Sequence, residues 1–405
     1  MSEEWQPVRV PRFEPFAAYR YPSSEDLATV TAPPYDVLSE ADVRAQRANN
    51  PHNITLVDVP LASDAPDPYE HAASILASWL EAGVLVVDER PSFTLYRMEF
   101  RDSAGHDRRT VGVLGALEVV DEGGDGVLPH ERTTPKAKTD RLDLTRATSC
   151  NLSPVWGLSL SAGLTELLTQ PGELLSEMID DAGVRHRVER VDEPSRVDRI
   201  ANAVSANAVL IADGHHRYAI ARTYRDEQRA STGSRQTSAE LVLTYVGELI
   251  DDQLSIDAIH RMYHGIGAAE LTARLRGSFT ADDAGNIDLS TVVSEMDRRG
   301  ALCLLRSDGT GAWLTPTQGL IDNERALDGA YLERALSGTD VDVTYQHDVH
   351  LVADQLARGE AQVAVLIRPT GIEEIRRTAE ERLLMPPKST FFTPKLRTGM
   401  AIRPL

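Results

Sequence analysis

Cysteine is nearly absent from this chain: Cys150 and Cys303 are the only two in 405 residues. Two thiols so far apart build no disulfide framework, and without a Cys-x-x-Cys pair there is no thiolate zinc site. Such sparse use fits a reducing compartment. Long apolar runs are also missing. The longest, Gly83 to Val87 and Val363 to Ile367, are strand-sized, whereas a bilayer demands about 20 residues. Met1-Ser2-Glu3-Glu4-Trp5 has neither the basic stretch nor the apolar core of a signal peptide, so the expectation is a cytoplasmic protein with no membrane partner. Aromatics make up only 5 % of the chain, and cations are in deficit, with 42 Lys and Arg against 62 Asp and Glu. Nucleic-acid backbones are held by clustered cations, so nucleic acid is not expected as a general partner. The formal charge of -20 serves solubility, though it permits a local basic pocket inside an acidic shell.

Several motifs are missing as well. Gly265-Ile266-Gly267 is too short for a dinucleotide fingerprint, and Lys388-Ser389-Thr390 lacks the glycines of a phosphate loop. There is no Gly-x-Ser-x-Gly elbow of a serine hydrolase. Glu131 is followed by Arg132, Thr133 and Thr134, which excludes a His-Glu-x-x-His zinc site.

What is present reads as a mixed α/β (α+β) protein. Pro33-Pro34-Tyr35-Asp36 fixes an extended turn. Asp67 to Ala82 predicts a helix with Tyr69, Ala72, Ile75, Leu76, Trp79 and Leu80 on one face and Gly83 as its C-cap. Strands are expected at 84–87, 93–100, 111–120, 184–191, 208–212 and 362–368, with helices at 195–206, 215–229 and 330–336. Pro129 argues against a central strand, so His130 and Glu131 belong at a strand end or in a loop.

The sharpest feature is Asp213-Gly214-His215-His216-Arg217, an acid, two imidazoles and a guanidinium directly after the apolar run Ala208 to Ala212. A strand, a glycine turn and a helix offer free N–H groups and a positive dipole end to an anion. Gly214 allows positive φ. Asp213 suits Mg²⁺ coordination or proton transfer, and Arg217 suits a phosphate clamp. The competing reading makes Asp213 a helix cap and the histidines surface residues. His130-Glu131-Arg132 reads equally as a solvated turn or a functional segment. Lys388-Ser389-Thr390 reads either as a stiff proline-flanked turn or as a phosphate contact.

Ala32 to Val37, Val127 to Thr133, Arg146-Ala147-Thr148 with Asn151 to Pro154, Ile211 to Tyr218 and Met385 to Lys395 together resemble the signature blocks of a bacterial and archaeal family known as a conserved domain of unknown function. More remotely, Ile211 to Tyr218 resembles the nucleotide motif of the ParB/sulfiredoxin-like superfamily, most closely its free serine kinases, which phosphorylate L-serine with ADP or ATP. That resemblance implies a ParB/sulfiredoxin-like nucleotide-binding core with additional N-terminal and C-terminal α/β parts: a region 1–125, a catalytic core 126–265 and a C-terminal region 266–405. It implies Glu131 of Pro129-His130-Glu131 as the catalytic carboxylate, aided by His130, Asp213 and His216. Gly214, His215 and Arg217 would cradle phosphates, with Lys388, Ser389 and Thr390 behind them. Arg132, Thr133, Lys136, Arg141, Arg146 and Asn151 would complete the substrate pocket. The blocks depart from the kinases in spacing, since Arg132 to Leu210 separates Glu131 from Asp213. A sulfiredoxin would place cysteine where His215 stands, and a DNA-partitioning ParB would carry Glu-Arg-Arg there. The expected activity is phosphoryl transfer between ADP or ATP, with Mg²⁺, and a small hydroxyl substrate, serine or phosphoserine. A phosphoserine phosphatase or reverse kinase, and a nucleotide-gated adaptor with little turnover, are the alternatives.

Overall fold

The computed structural model describes residues 9–103, 105–131, 138–322 and 324–405. It has the mixed α/β character expected, in two compact units: Met1–Ser255 joined by Pro394–Leu405, and Ile256–Thr393.

In the first unit nine strands form one sheet among the described residues. In chain order these are β1 (Phe13–Glu14), β2 (Phe93–Arg101), β3 (Asp107–Glu118), β4 (Val127–Pro129), β5 (Val155–Ser159), β6 (Glu173–Ile179), β7 (Arg185–Val191), β8 (Val209–Asp213) and β9 (Leu241–Glu248). They lie in the order β4-β8-β5-β9-β3-β2-β7-β6, with β1 paired to β3. Residue 125, the expected edge of an N-terminal region, falls between β3 and β4 of this single sheet. The site-bearing strand β8 runs parallel to the edge strand β4 and antiparallel to β5. Pro129 is tolerated because it sits on that edge, where its missing N–H breaks no inner ladder.

Helices α1 (Pro68–Ala82), α2 (Lys138–Thr148), α3 (Leu164–Thr169), α4 (Pro194–Val204) and α5 (His215–Thr232) accompany the sheet. α1 begins where Asp67 accepts the N–H groups of Tyr69 and Glu70, and ends at Gly83 with φ 74°. It buries Ala72, Leu76 and Trp79 of the predicted face. One core gathers Phe93, Leu95, Val113 and Leu117 from the sheet with Leu164, Ile200, Val204 and Tyr218 from α3, α4 and α5. The stretch 394–405 returns to this unit by main-chain pairing of Thr398 with Ala32, Ile402 with Tyr19 and Arg403 with Asn151.

The second unit carries a six-stranded sheet among the described residues, ordered β11-β13-β12-β15-β10-β14. These are β10 (His260–His264), β11 (Phe279–Asn286), β12 (Leu302–Arg306), β13 (Thr310–Pro316), β14 (Asp342–Gln346) and β15 (Val363–Leu366). Leu302, Leu304, Val363 and Val365 face one apolar cluster, while Cys303, Leu305, Ala364 and Leu366 face another. The period-two alternation explains why this sheet is buried on both sides. No helix among the described residues is long and apolar enough to cross a membrane.

Gly112 of β3 lies against the Tyr245 ring, where a Cβ would come within 2.3 Å of the ring carbon Cζ. Tyr245 is itself wedged edge-on against Tyr96 and Trp156, at centroid distances of 5.9 and 5.5 Å. Gly112→Ala is therefore expected to destabilise the first unit by about 1–3 kcal/mol, read as a lower urea midpoint at unchanged slope. An unchanged midpoint would contradict this packing.

Candidate active site

Strand β8 is an apolar run buried between neighbours on both sides, with Val209 and Leu210 at 0 % exposure. At its C-terminal end the chain turns through Gly214, φ 85°, into α5. A Cβ at Gly214 would meet Arg217 Nε at 3.0 Å and Cζ at 3.1 Å. Glycine is thus demanded twice here, by the left-handed backbone and by the guanidinium folded over it. Gly214 has no side chain with which to cap α5, so the first-turn N–H groups of an 18-residue helix point beyond the strand end with the positive dipole behind them.

Asp213 does not serve as the helix cap. It belongs to β8 and stands between two cations: Arg217 Nη2 donates to Oδ2, and Lys395 Nζ donates to Oδ1 at 2.8 Å. Burial alone would push this carboxyl up, but Lys395 and then Arg217 overcome it and hold it well below the usual carboxylate range. Arg217 also donates to the Pro154 carbonyl. Burial opposes its charge, yet Asp213, Asp36, Tyr35 and Asp58 raise its pKa. With one cation on each oxygen, Asp213 does not fit the expected Mg²⁺ ligand. Two adjacent positive charges repel a divalent ion, and no cluster of three His, Cys, Asp or Glu side chains suited to a metal occurs among the described residues.

The edge strand brings the second motif alongside. Val127, Leu128 and Pro129 pair in parallel with Val209, Leu210 and Ile211. The pairing ends at Pro129 opposite Ile211, two residues before Glu131. His130 is fully buried and bonds through Nδ1 to the Ile211 carbonyl. Its ring lies 4.8 Å from that of His215. Burial lowers the His130 pKa to about 4. His215 is lowered well below the ordinary histidine value, first by burial and then by His130. Two neutral imidazoles therefore line the corner, and Nε2 of His215 is shielded from solvent with no hydrogen-bond partner among the described residues. His216 follows in the first turn of α5.

A sequence profile described as "Protein of unknown function (DUF1015)" matches residues 13–338. The chain belongs to the DUF1015 family. No curated protein matches it. Solved structures with similar folds include a conserved hypothetical protein from Pyrococcus furiosus, 13 % identical, spanning 68 % of this chain and 91 % of that one at a TM-score of 0.38. A free serine kinase mutant in complex with ADP is 12 % identical, spanning 66 % of this chain and 84 % of that one, TM-score 0.38. SbnI with a C-terminal truncation, from Staphylococcus aureus, is 14 % identical, spanning 72 % and 87 %, TM-score 0.39.

Other expected residues of this DUF1015 chain fall in different places. Arg141 and Asn151 line one cavity with Arg217, and Asn151 Oδ1 also accepts the Leu243 N–H at 2.9 Å. Arg146 does not join them. It sits half-exposed on the outer face of α2, paired with Asp143 and Glu227, because those carboxylates lie on its own helix and on α5. Arg132, Thr133 and Lys136 lie outside the described residues. Lys388, Ser389 and Thr390 belong to the second unit. There Ser389 is buried and its hydroxyl donates to the Pro386 carbonyl at 2.7 Å, which uses its proton within the turn. Three site residues escaped the sequence expectations: Lys395, Tyr35 and Asp58. Lys395 and Tyr35 sit in the blocks Met385 to Lys395 and Ala32 to Val37, so the signal existed; Asp58 gave none.

The buried imidazoles set a pH dependence. Between about 4 and 6.5 the unfolded chain binds a proton that folded His130 refuses, so stability rises with pH across that window. The contribution is complete above the unfolded value and is lost as pH falls toward the folded one. His215 acts in the same direction. The urea midpoint is expected to fall from pH 6.5 to 4, and His130→Gln should flatten that slope. A wild-type midpoint that does not change over this window would contradict the burial of neutral imidazoles.

Proposed function

We propose that this chain transfers a phosphoryl group between ADP or ATP and a small hydroxyl substrate, with serine as the leading acceptor. The observation carrying the proposal is the N-terminus of α5 at Gly214, flanked by Arg217 and Lys395, with the edge strand that leads into Glu131 paired alongside β8. Ligands of α/β sheets bind outside the carboxyl ends of strands. Phosphoryl transfer asks mainly for positioning and neutralisation of charge, which helix N–H groups and two cations supply.

In this mechanism the phosphate lies over Gly214, held by the first-turn N–H groups, that of His215 among them, and by Arg217. Glu131 accepts the acceptor's hydroxyl proton. The acceptor oxygen forms its bond to phosphorus as the bridging P–O bond breaks, and the departing nucleotide keeps that electron pair. His130 acts as a positioning residue, locking the Glu131 segment onto the Ile211 carbonyl. Asp213 orients Arg217 and Lys395. The same geometry serves the reverse reaction on phosphoserine.

Glu131→Gln is expected to lower turnover of serine with ADP or ATP by about 10²–10⁴-fold while leaving nucleotide affinity within twofold. Full activity in that variant overturns Glu131 as the base. Tight nucleotide binding by wild type with no product from serine or phosphoserine overturns the transfer reaction in favour of an adaptor.

A further inference from the structure

One buried acid is left unexplained by phosphate binding. Asp58 ends the short helix Thr55–Asp58 and is 2 % exposed, and it lines the same cavity as Arg141 and Arg217. Arg141, on α2, is held from two sides. Its guanidinium stacks 4.2 Å above the Tyr35 ring, and its Nε donates to Asp140 at 2.9 Å. Its Nη1 donates to the Asp58 backbone carbonyl but stands 3.4 Å from the carboxylate, long against the roughly 2.8 Å of a charge-assisted bond. Neither Arg141 Nη2 nor Asp58 Oδ2 has a hydrogen-bond partner among the described residues. A buried carboxylate and a half-buried guanidinium, each incompletely paired, are costly to keep in a cavity wall. Such pairs in clefts mark ligand sites.

The chemistry selects the ligand. Asp58 repels a nucleotide phosphate, so this end of the cavity suits the acceptor. An acid and a base side by side match a ligand carrying adjacent opposite charges. Resting on the phosphoryl-transfer reading for the identity of the acceptor, we propose that Asp58 and Arg141 form a recognition subsite for a zwitterionic hydroxy amino acid. Asp58 takes the ammonium, and Arg141 Nη2 takes the carboxylate. The N-terminal region would then supply selectivity to a corner built by the sheet.

Calorimetric titration of the full chain with L-serine, ethanolamine and glycerate tests this without any variant, because the latter two lack the carboxylate and the ammonium respectively. Serine is expected to bind at least tenfold more tightly than either. Asp58→Asn, first checked by its melting temperature, should weaken serine at least tenfold and leave glycerate and ADP unchanged. Equal binding of serine and glycerate, no binding of serine, or an equal loss of serine and glycerate in the variant overturns the subsite. Serine binding with the expected selectivity but no turnover overturns the transfer reaction alone and leaves the subsite standing.

Discussion

The candidate site depends on one half-buried carboxylate held between two cations. Asp213 ends an inner strand, where nothing but charge compensation makes an ionised aspartate tolerable. Arg217 arrives from the first turn of the helix that follows, and Lys395 arrives from the other end of the chain. Removing either cation would leave the other to carry the whole neutralisation. The pairing therefore fixes both the corner's geometry and the return of residues 394–405 to the first unit.

Local constraints converge on that pair. Gly214 has positive φ and no room for a Cβ beneath the Arg217 guanidinium, so backbone and ion pair specify each other. The edge strand docks through Pro129 opposite Ile211 and through the buried His130 ring. Keeping both imidazoles neutral avoids adding positive charge beside Arg217.

Much of this was legible in the chain itself. The apolar run before Asp213-Gly214 and the period of Asp67 to Ala82 specify their elements directly, through a buried strand, a glycine turn and a helical face with its C-cap glycine. The inner strands Val155–Ser159 and Leu241–Glu248 were not anticipated, since a strand buried on both faces shows no alternation to read. The expected strand at 84–87 shrinks to Val86–Val87, both exposed. Arg146 looked like a pocket residue because it lies in a charged block, but its helix turns it outward to Asp143 and Glu227. Asp58 and Lys395 acquire meaning only from tertiary contacts, with α2 for the first and β8 for the second. Spacing along the chain cannot announce such contacts.

The central claim is that the corner at Gly214 binds a phosphate-bearing ligand. Titrating ATP, ADP and adenosine into the intact chain at low and moderate salt tests it most directly. Affinity should rise with the number of phosphates, fall with salt, and drop at least tenfold for ATP in Arg217→Ala. Equal affinity for adenosine and ATP, or undiminished ATP binding in that variant, would contradict the account.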